Sequence, residues 1–389
     1  MVSAAPRTWR GQPPRGSPRV LLVRSSPRMG GLERALLALA TGLQHRGWDV
    51  VVALISRTEH HPLTLLARKQ GIPVHLLPDP SPWSWRPIRA LLTLLRTGHP
   101  QIVYTWDYRS NILVALAKKL LSLSAPIVFS AHGYTDANWR QRLYRDLDIA
   151  VLKRSRAVVV PSPVMERYLV ARGKSPNDVY IIPPAVDWTW VDRWARMRLA
   201  GISHPTRAEP RLLVVGRLSV EKGVDRLIAA LPRALRAYPR LTLWILGDGP
   251  ERHHLERQVV RHALEGNVRF WGWRVNPFPF MQVVSGTVIP SRRESFGLVA
   301  LEVQGTGGAL LATDVGHLPS LVRPPNLLLP DTDDPSQWAE ALVAFIRAAS
   351  NGVDSRRRIQ AWVRATFPLE RAVELHHRLF WHLVDGVGL

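Results

Sequence analysis

The sequence of 389 residues contains no cysteine, and this absence excludes several kinds of chemistry at once. Without thiols there is no disulfide framework, no cysteine nucleophile and no cysteine-ligated zinc site, which is compatible with a reducing compartment. No stretch approaches about 18 consecutive apolar residues, and the N-terminal segment MVSAAPRTWRGQPPRGSPR lacks the apolar middle of a signal peptide. We therefore expect a cytoplasmic protein in which residues 1–18 form a disordered basic lead-in.

Several nucleotide and hydrolase motifs are also missing. No G-x-G-x-x-G follows Val23, and neither G-x-x-x-x-G-K-[ST] nor G-x-S-x-G occurs anywhere in the chain. Dinucleotide-dependent redox chemistry, P-loop nucleotide hydrolysis and nucleophile-elbow hydrolysis are therefore poorly supported.

Lysine is scarce although the net charge is +22, because only six of the 52 basic residues are lysine. The charge is uneven: residues 1–195 hold 27 basic and 12 acidic residues, against 25 and 18 in residues 196–389. Such a surface attracts nucleic acid, anionic lipid or a phosphorylated substrate. A genome-wide coding bias toward arginine is the simpler explanation for much of the excess, and we expect no nucleic-acid partner.

Short apolar runs alternate with helical patterns along nearly the whole chain. In the first half, the runs lie at Arg19–Val23, Val50–Ile55, Val74–Leu77, Ile102–Tyr104, Ile127–Ser130, Ala157–Val160 and Val179–Ile182. In the second half, they lie at Leu212–Val215, Leu241–Leu246, Val268–Trp271, Thr287–Ile289 and Ala309–Leu311. This alternation predicts an α/β protein with parallel sheets covered by helices on both faces.

The length predicts two domains, since one ordinary core does not extend over so many residues. The region from Pro183 to Pro210 is rich in Trp, Arg and Pro and contains no clear strand. We therefore predict two doubly wound, Rossmann-like domains, residues 19–195 and 196–368, facing each other across a cleft. The final helical pattern, residues 369–389, is a candidate for packing back onto the first domain.

The stretch Pro290–Ala312, reading PSRRESFGLVALEVQGTGGALLA, combines a strand end, a polar loop and a helix. The predicted helix starts at Gly297 and Leu298, where free backbone N–H groups favour a phosphate. Glu294 precedes the helix and Glu302 lies within it, so one carboxylate can face a sugar while the other faces a ribose. A surface glutamate and a solvated helical glutamate are the alternative interpretation.

A second polar loop follows the run Leu212–Val215 and reads GRLSVEKG, residues 216–223. Arg217 and Lys222 bracket this turn, which begins with Gly216. Two cations at a strand end suit a diphosphate, because arginine offers a fork of donors and lysine a compact charge. A basic surface loop is the alternative, and the scarcity of lysine argues against it.

These motifs, together with LGDGPER and ATDVG, resemble the retaining glycosyltransferases of family 4, which have the GT-B fold. The first half is similar as well, at GGLERALLALATGLQHRGWDV, at SAHG and at VVVPSPVMERYL, so that the resemblance covers nearly the whole chain from about residue 19. It implies that the first domain binds the acceptor and the second domain binds a nucleotide sugar.

The resemblance also implies roles for individual residues. In the second domain, Arg217 and Lys222 would hold the donor's diphosphate, Glu294 would contact hydroxyls of the transferred sugar, and Glu302 would bind the ribose. In the first domain, Gly30 and Gly31 correspond to the glycine-rich loop that approaches the phosphate. His132 matches the histidine that faces the sugar near the reaction centre.

Four positions depart from the usual family pattern, at Gln304, Ala309, His317 and Ser320. The first two lie where Ala-Met-Ala and a Gly-x-Pro turn are common, and the last two lie in the loop after ATDVG. These departures put the shape of the base or donor pocket in doubt.

Two other segments are weaker candidates. Asp146-Leu147-Asp148 has the DxD form of a metal site but lies inside a helical pattern, so we expect no metal. The segment Trp83–Gly98 places two tryptophans and several arginines beside an apolar helical stripe, which is typical of an interfacial helix or of a core-facing helix with snorkelling arginines. Trp83, Trp85, Arg86 and Arg89 would make the membrane contact.

The sequence thus predicts a retaining glycosyltransferase that moves a sugar from a nucleoside diphosphate to a carbohydrate or lipid-linked acceptor, without a metal or other cofactor. Two alternatives stay open: a nucleotide-sugar epimerase of the same fold, and a non-catalytic binder of polyanions or membranes. Peripheral contact with the anionic inner face of a membrane is compatible with the first and the last.

Overall fold

The computed structural model describes residues 17–58, 60–81, 84–134, 139–184, 186–197, 199–349 and 353–385. Most of the expected lead-in, residues 1–16, and Trp83 of the expected membrane contact lie outside these described residues. The chain divides into two compact units: the first comprises residues 1–185 and 369–389, and the second comprises residues 186–368.

Thirteen strands are found in the described ranges. They are β1 Arg19–Ser25, β2 Asp49–Ser56, β3 Val74–Pro78, β4 Ile102–Thr105, β5 Ile127–Ser130, β6 Val158–Val160, β7 Val179–Ile181, β8 Arg211–Val215, β9 Thr242–Leu246, β10 Val268–Gly272, β11 Gly286–Ile289, β12 Leu310–Thr313 and β13 Leu327–Leu329.

Fifteen α-helices connect and follow these strands within the same ranges. They are α1 Gly31–His45, α2 Pro62–Lys69, α3 Arg86–Gly98, α4 Tyr108–Leu121, α5 Trp139–Lys153, α6 Pro163–Val170, α7 Trp188–Ala195, α8 Val224–Ala234, α9 Arg252–Arg261, α10 Phe278–Gln282, α11 Leu298–Gly305, α12 Leu318–Leu321, α13 Pro335–Ala349, α14 Val353–Thr366 and α15 Leu369–Asp385. Among the described helices, none has the length and apolarity needed to cross a bilayer.

Each unit contains one parallel sheet. The order is β3-β2-β1-β4-β5-β6-β7 in the first and β10-β9-β8-β11-β12-β13 in the second. In both sheets the order reverses beside the first strand of the unit, and the carboxyl ends of the strands flanking this point form the usual ligand crevice of doubly wound folds. The central strands are buried, as the apolar runs predict. The predicted α/β architecture is confirmed.

The two units meet in sequence ten residues before the expected position, at 185/186 instead of 195/196. The reason is the tryptophan-rich helix α7, which belongs to the second unit. Val191 of this helix is buried in the core of that unit, with Trp188, Trp190 and Trp194 packed against it. Part of the tryptophan-rich region is therefore a packed helix of the second unit.

The last helix, α15, belongs to the first unit. His376 Nε2 lies 3.1 Å from the hydroxyl of Tyr104 on β4, and the indole of Trp48 donates a hydrogen bond of 3.0 Å to His377 Nδ1. Phe380 is fully buried and contacts the rings of both Trp48 and Tyr104.

Candidate active site

Two loops of the second unit follow strands that lie side by side. The GRLSVEKG loop follows β8, and the loop containing Glu294 follows β11, which pairs with β8 in parallel register. The turn after β9 is bound to the first of these loops, because Leu218 N–H donates to the Asp248 carbonyl at 3.1 Å and Glu251 N–H donates to the Leu218 carbonyl at 3.0 Å. The predicted phosphate and sugar loops therefore share one edge of the sheet.

Lys222 and Glu294 are in direct contact at this edge. Lys222 Nζ donates to Glu294 Oε2 at 2.6 Å, and both side chains keep access to solvent, with relative exposures of 30% and 15%. Arg217 is exposed and makes no hydrogen bond or ion pair with the described part of the chain. The two predicted phosphate-binding cations thus differ: Lys222 is paired with a carboxylate, and Arg217 has no partner in the described part of the chain.

The backbones of these loops approach each other too closely for a side chain at two positions. A Cβ at Gly223, which has φ +64°, would overlap the carbonyl oxygen of Pro290. A Cβ at Gly316, which has φ +58°, would overlap the carbonyl oxygen of Glu294. Glycine alone meets both requirements without strain, so the loop carrying Glu294 is held between the segments around Gly223 and Gly316.

A network of charged side chains also joins the two loops. The Arg292 guanidinium makes a fork to both carboxylate oxygens of Asp225, at 2.8 and 2.7 Å, and reaches Asp333 Oδ1 at 2.8 Å. Arg226, whose side chain is 4% exposed, binds Asp331 at 2.8 Å and Asp333 at 2.6 Å. The carboxylates raise the pKa of Arg292, chiefly through the hydrogen bonds that Arg292 donates to Asp225. Sequence patterns did not predict this network, since its members lie far apart in the chain.

The helix α11 starts beside Glu294, with Gly297 as its N-cap and Leu298 as its first residue. Glu302 lies in this helix and is 4% exposed. Gln304 is 1% exposed: its amide donates to the carbonyls of Ala300 and Leu321 and accepts from Arg323 N–H and Asn326 Nδ2. A buried polar group with all these partners is well accommodated, so this departure from the family pattern supports the helix.

The other departures also find a place in the structure. The ring of His317 stacks on Phe296, with centroids 5.3 Å apart and planes 21° apart, and its backbone N–H donates to the Glu294 carbonyl at 3.3 Å. Ser320 lies in the one-turn helix α12, and Ala309 accepts a ladder hydrogen bond of 2.9 Å from Thr287. None of these three residues disrupts the contacts between the loops described above.

In the first unit, polar groups meet where β1 and β4 end. The Arg24 guanidinium pairs with Glu33 at 2.7 Å, donates to the Trp106 carbonyl at 2.7 Å and lies 3.5 Å from Asp107. Glu33 is buried, and its Oε2 accepts from the N–H of Gly30 at 2.8 Å. Burial raises the pKa of Glu33, but the Arg24 guanidinium together with hydrogen bonds from Ser26 and the backbone outweighs this, and the net pKa is lowered. The backbone N–H of Gly30 is thus already hydrogen-bonded to a carboxylate of the protein. Gly31 is the first residue of α1.

His132 follows β5 and contacts the indole of Trp106, with ring centroids 5.2 Å apart. Both of its ring nitrogens are buried, and neither has a hydrogen-bond partner among the described residues. Burial lowers the pKa of His132 to about 3, with Arg24 and His376 acting in the same direction. The imidazole is therefore neutral near pH 7 and offers one donor and one acceptor to a ligand hydroxyl.

The DxD segment is helical. Asp146 and Asp148 both lie in α5, where residues two positions apart point away from each other. The Asp146 side chain is 62% exposed, whereas Asp148 is fully buried and accepts hydrogen bonds from Asn111 and Tyr134. The two carboxylates cannot bind one ion together, and no cluster of three or more His, Asp or Glu side chains suited to a metal occurs in the described ranges.

Comparisons with known proteins agree with this geometry. The family model described as Glycosyltransferase Family 4 matches residues 29–189, and the model described as Glycosyl transferases group 1 matches residues 209–348. A phosphatidylinositol N-acetylglucosaminyltransferase component from Arabidopsis thaliana is 25% identical over 350 residues, which cover 84% of this chain and 75% of that protein. The glycogen synthase of Mycobacterium tuberculosis is 28% identical over 326 residues, which cover 75% of this chain and 76% of the relative.

Among solved structures, Anabaena HepE in complex with UDP-glucose superposes with a TM-score of 0.75 at 18% identity, over 93% of this chain and 99% of HepE. At this identity the likeness concerns the fold.

Proposed function

Because the chain is a family 4 glycosyltransferase with the two-domain GT-B fold and transfers a glycosyl group from a nucleotide sugar, we propose that it does so with retention at the anomeric carbon. The donor is a nucleoside-diphosphate sugar and the acceptor is a hydroxyl of a carbohydrate or of a lipid-linked glycan. The observation that carries the proposal is the contact between Lys222 and Glu294 at the sheet edge, beside the start of α11.

The donor's diphosphate binds Arg217 and Lys222. An ammonium group has three donors, and Glu294 uses one of them, so Lys222 keeps two for phosphate oxygens while it stays bound to the carboxylate. Arg217 adds an exposed guanidinium. The backbone amides at Gly297 and Leu298 add the positive end of a helix. As the bond to the sugar breaks, negative charge grows on the diphosphate, and these fixed groups stabilise it.

Glu294 contacts hydroxyls of the transferred sugar, and Glu302 binds the ribose. The acceptor hydroxyl attacks the anomeric carbon from the face that the diphosphate leaves, and its proton passes to a phosphate oxygen of the leaving group. No protein nucleophile is required by this route. Neutral His132 binds a hydroxyl of the sugar through one of its two unpartnered nitrogens.

No divalent metal is needed in this mechanism. The two negative charges of the departing diphosphate are met by Arg217, Lys222 and the start of α11, which do the work that a bound cation does in metal-dependent enzymes. Relatives support the substrate class, since Anabaena HepE binds UDP-glucose and the Arabidopsis relative is named for transfer of N-acetylglucosamine to phosphatidylinositol.

The test is an assay of the full chain with a panel of nucleotide sugars, with and without a panel of acceptors. Release of nucleoside diphosphate that depends on an acceptor, with a product of the donor's anomeric configuration, supports the proposal. Isomerised donor without release supports an epimerase instead. An inverted product overturns retention, and steeply salt-dependent binding of polyanions without turnover supports a non-catalytic binder.

We further propose a cytoplasmic location with peripheral contact to an anionic membrane face. In the helix α3, Trp85 is 78% exposed and Arg86 and Arg89 are exposed beside it. The neighbouring helices α4 and α5 add an exposed apolar set, which we call the outer helix face: Tyr108, Leu116, Leu120, Trp139, Leu143 and Leu147. The same two helices and the residue after α5 also carry exposed cations, namely Lys118, Lys119, Arg142, Lys153 and Arg154.

Exposed leucine and tryptophan beside lysine and arginine match the chemistry of an anionic bilayer surface, where apolar groups insert and cations meet lipid phosphates. Co-sedimentation with vesicles of phosphatidylglycerol, compared with phosphatidylcholine, tests the contact. Preferential binding that is lost in the Leu143→Glu and Leu147→Glu double variant supports it, and Val260→Glu, which changes an apolar side chain that is 63% exposed in the second unit, is the matched control. Equal binding by both variants, or none at low salt, overturns it.

A further inference from the structure

A carboxylate is fully buried in the first unit although no cation is paired with it. Asp148 of α5 is 0% exposed. Its Oδ1 accepts a hydrogen bond of 2.7 Å from Asn111 Nδ2, and its Oδ2 accepts one of 2.6 Å from the hydroxyl of Tyr134. Among the described residues, no lysine, arginine or histidine forms an ion pair with it. An unpaired buried charge is costly, so a purely structural position would favour a neutral side chain.

The partners of Asp148 lie on both sides of His132. Asn111 Nδ2 also donates to the carbonyl of Ser130 at 2.9 Å, at the end of β5, and Tyr134 lies two residues after His132. The carboxylate therefore holds the segment 130–134 at both ends, once through Asn111 and once through Tyr134. His132 itself has no side-chain hydrogen bond among the described residues, so its position depends on the backbone of this segment and on its packing against Trp106.

The charged and titratable groups around Asp148 are few. Asp107, at the start of α4, acts on it as a like charge, while Tyr134 and Asn111 stabilise the ionised form. On α6, Tyr168 packs on the Tyr134 ring, and beyond it the Arg172 guanidinium lies 3.6 Å from the Tyr168 ring centre. Burial is the largest influence and raises the pKa of Asp148 to about 6.

We propose that Asp148 is a positioning residue for His132, holding the segment 130–134 in its working geometry only while the carboxylate is ionised. The inference rests on the proposed role of His132. Ionised Asp148 accepts from both partners. Protonated Asp148 has to place its new O–H toward Tyr134, since Asn111 Nδ2 can only donate, and the hydroxyl of Tyr134 then has to turn its own proton away. The hydrogen bond between Tyr134 and Asp148, at the C-terminal end of segment 130–134, thereby reverses its direction.

The consequence is an acid limb in the pH dependence of turnover. Loss of the ionised form should halve the turnover number near pH 6 and reduce it about tenfold near pH 5. His132 cannot cause this limb, because its pKa of about 3 lies far below it.

The experiment compares pH profiles of turnover for the parent, Asp148→Asn, Tyr134→Phe and Asp146→Asn. The amide of Asp148→Asn can accept from Asn111 and donate to Tyr134, so it mimics the protonated acid: we expect low turnover without an acid limb between pH 5 and 8. Tyr134→Phe removes one donor to the carboxylate and should move the limb to higher pH. Asp146→Asn, on the exposed face of the same helix, should match the parent.

Melting temperatures over the same pH range give a readout that needs no turnover. The folded pKa of Asp148 lies above its unfolded value, so its favourable contribution is present below pH 3.8 and is lost as pH rises through about 6. Asp148→Asn should therefore gain melting temperature relative to the parent between pH 5 and pH 8.

A parent-like acid limb in Asp148→Asn, or an unchanged difference in melting temperature, overturns the inference while leaving glycosyl transfer intact. A parent without turnover on any donor contradicts the proposed function instead, and the melting comparison then still decides whether Asp148 ionises as inferred.

Discussion

Lys222 Nζ lies 2.6 Å from Glu294 Oε2, so two residues 72 positions apart in the chain form one ion pair. The contact links the group proposed to bind the diphosphate to the group proposed to bind the sugar. Neither side chain can be changed without altering the charge around the other. The kinetic consequences of their substitutions are therefore coupled.

Replacing Lys222 by alanine should lower turnover by about a hundredfold or more, the range seen when one preorganised donor is lost. The change removes a cation from the leaving group and leaves Glu294 without its partner. Initial rates with and without excess EDTA measure both this effect and the metal independence. An active Lys222→Ala protein, or chelator-abolished activity restored by magnesium or manganese, would contradict the mechanism.

A double-mutant cycle should show the coupling directly. Glu294→Gln should reduce turnover strongly, yet Lys222→Ala combined with Glu294→Gln should cost less than the product of the two single effects, because the unpaired charge is absent. Purely multiplicative effects would show that the ion pair has no part in the reaction.

The two glutamates should separate sugar binding from nucleotide binding. Glu294→Gln should leave the affinity for free nucleoside diphosphate unchanged or raise it, since a third donor of Lys222 becomes available. Glu302→Ala should weaken that affinity about ten- to a hundredfold, the usual cost of a lost charged hydrogen bond. Calorimetric titration with UDP and its analogues gives both values, and equal losses would contradict the assignment.

Arg292→Lys should lower turnover although Arg292 is not proposed to touch the substrate. A lysine cannot reproduce the fork to Asp225 together with the contact to Asp333, so the Glu294 loop should lose its fixed position. Arg240→Lys, at an exposed ion pair with Glu209, is the control. Equal kinetics for both variants would show that the loop is held by the backbone contacts alone.

The first unit should lose stability in mild acid. Burial lowers the pKa of His132 to about 3 and that of His376 to about 4. Both folded values lie below the ordinary value of 6.5, so the unfolded chain binds protons first, and the stability present above pH 6.5 is lost as pH falls toward 4. Asp148 has the opposite effect on the pH dependence of stability, because its raised pKa makes the folded state bind one proton more readily than the unfolded state. Urea unfolding of His376→Gln should show a weaker pH dependence than the parent.

Local patterns predicted most strands, because buried parallel strands need apolar runs. They also predicted the loops that carry Lys222 and Glu294, because each of these motifs lies within a few consecutive residues. The pairing of Lys222 with Glu294 and the network from Arg292 to Asp225 and Asp333 could not be read in this way, since they join segments far apart in the chain. The strand β13 was also missed: it has three residues at a sheet edge after a proline pair.

One contact in the first unit also could not be predicted from a local pattern. The approach of Gly30 and Gly31 to a phosphate stays a prediction, and the Gly30 amide donates to Glu33, which is itself paired with Arg24. The acidic residue three positions along was visible in the sequence. Its inward orientation depends on the distant Arg24 side chain, which no local pattern specifies.

The position of α15 has a consequence for the order of synthesis. This helix packs its buried face onto Trp48 and Tyr104 of the first unit, yet the ribosome makes it only after the whole second unit. Until then the apolar surface that Phe380 and Val373 cover stays open to solvent or to chaperones. The first unit, although most of it is translated before the second unit, is therefore completed only after the second unit has been made.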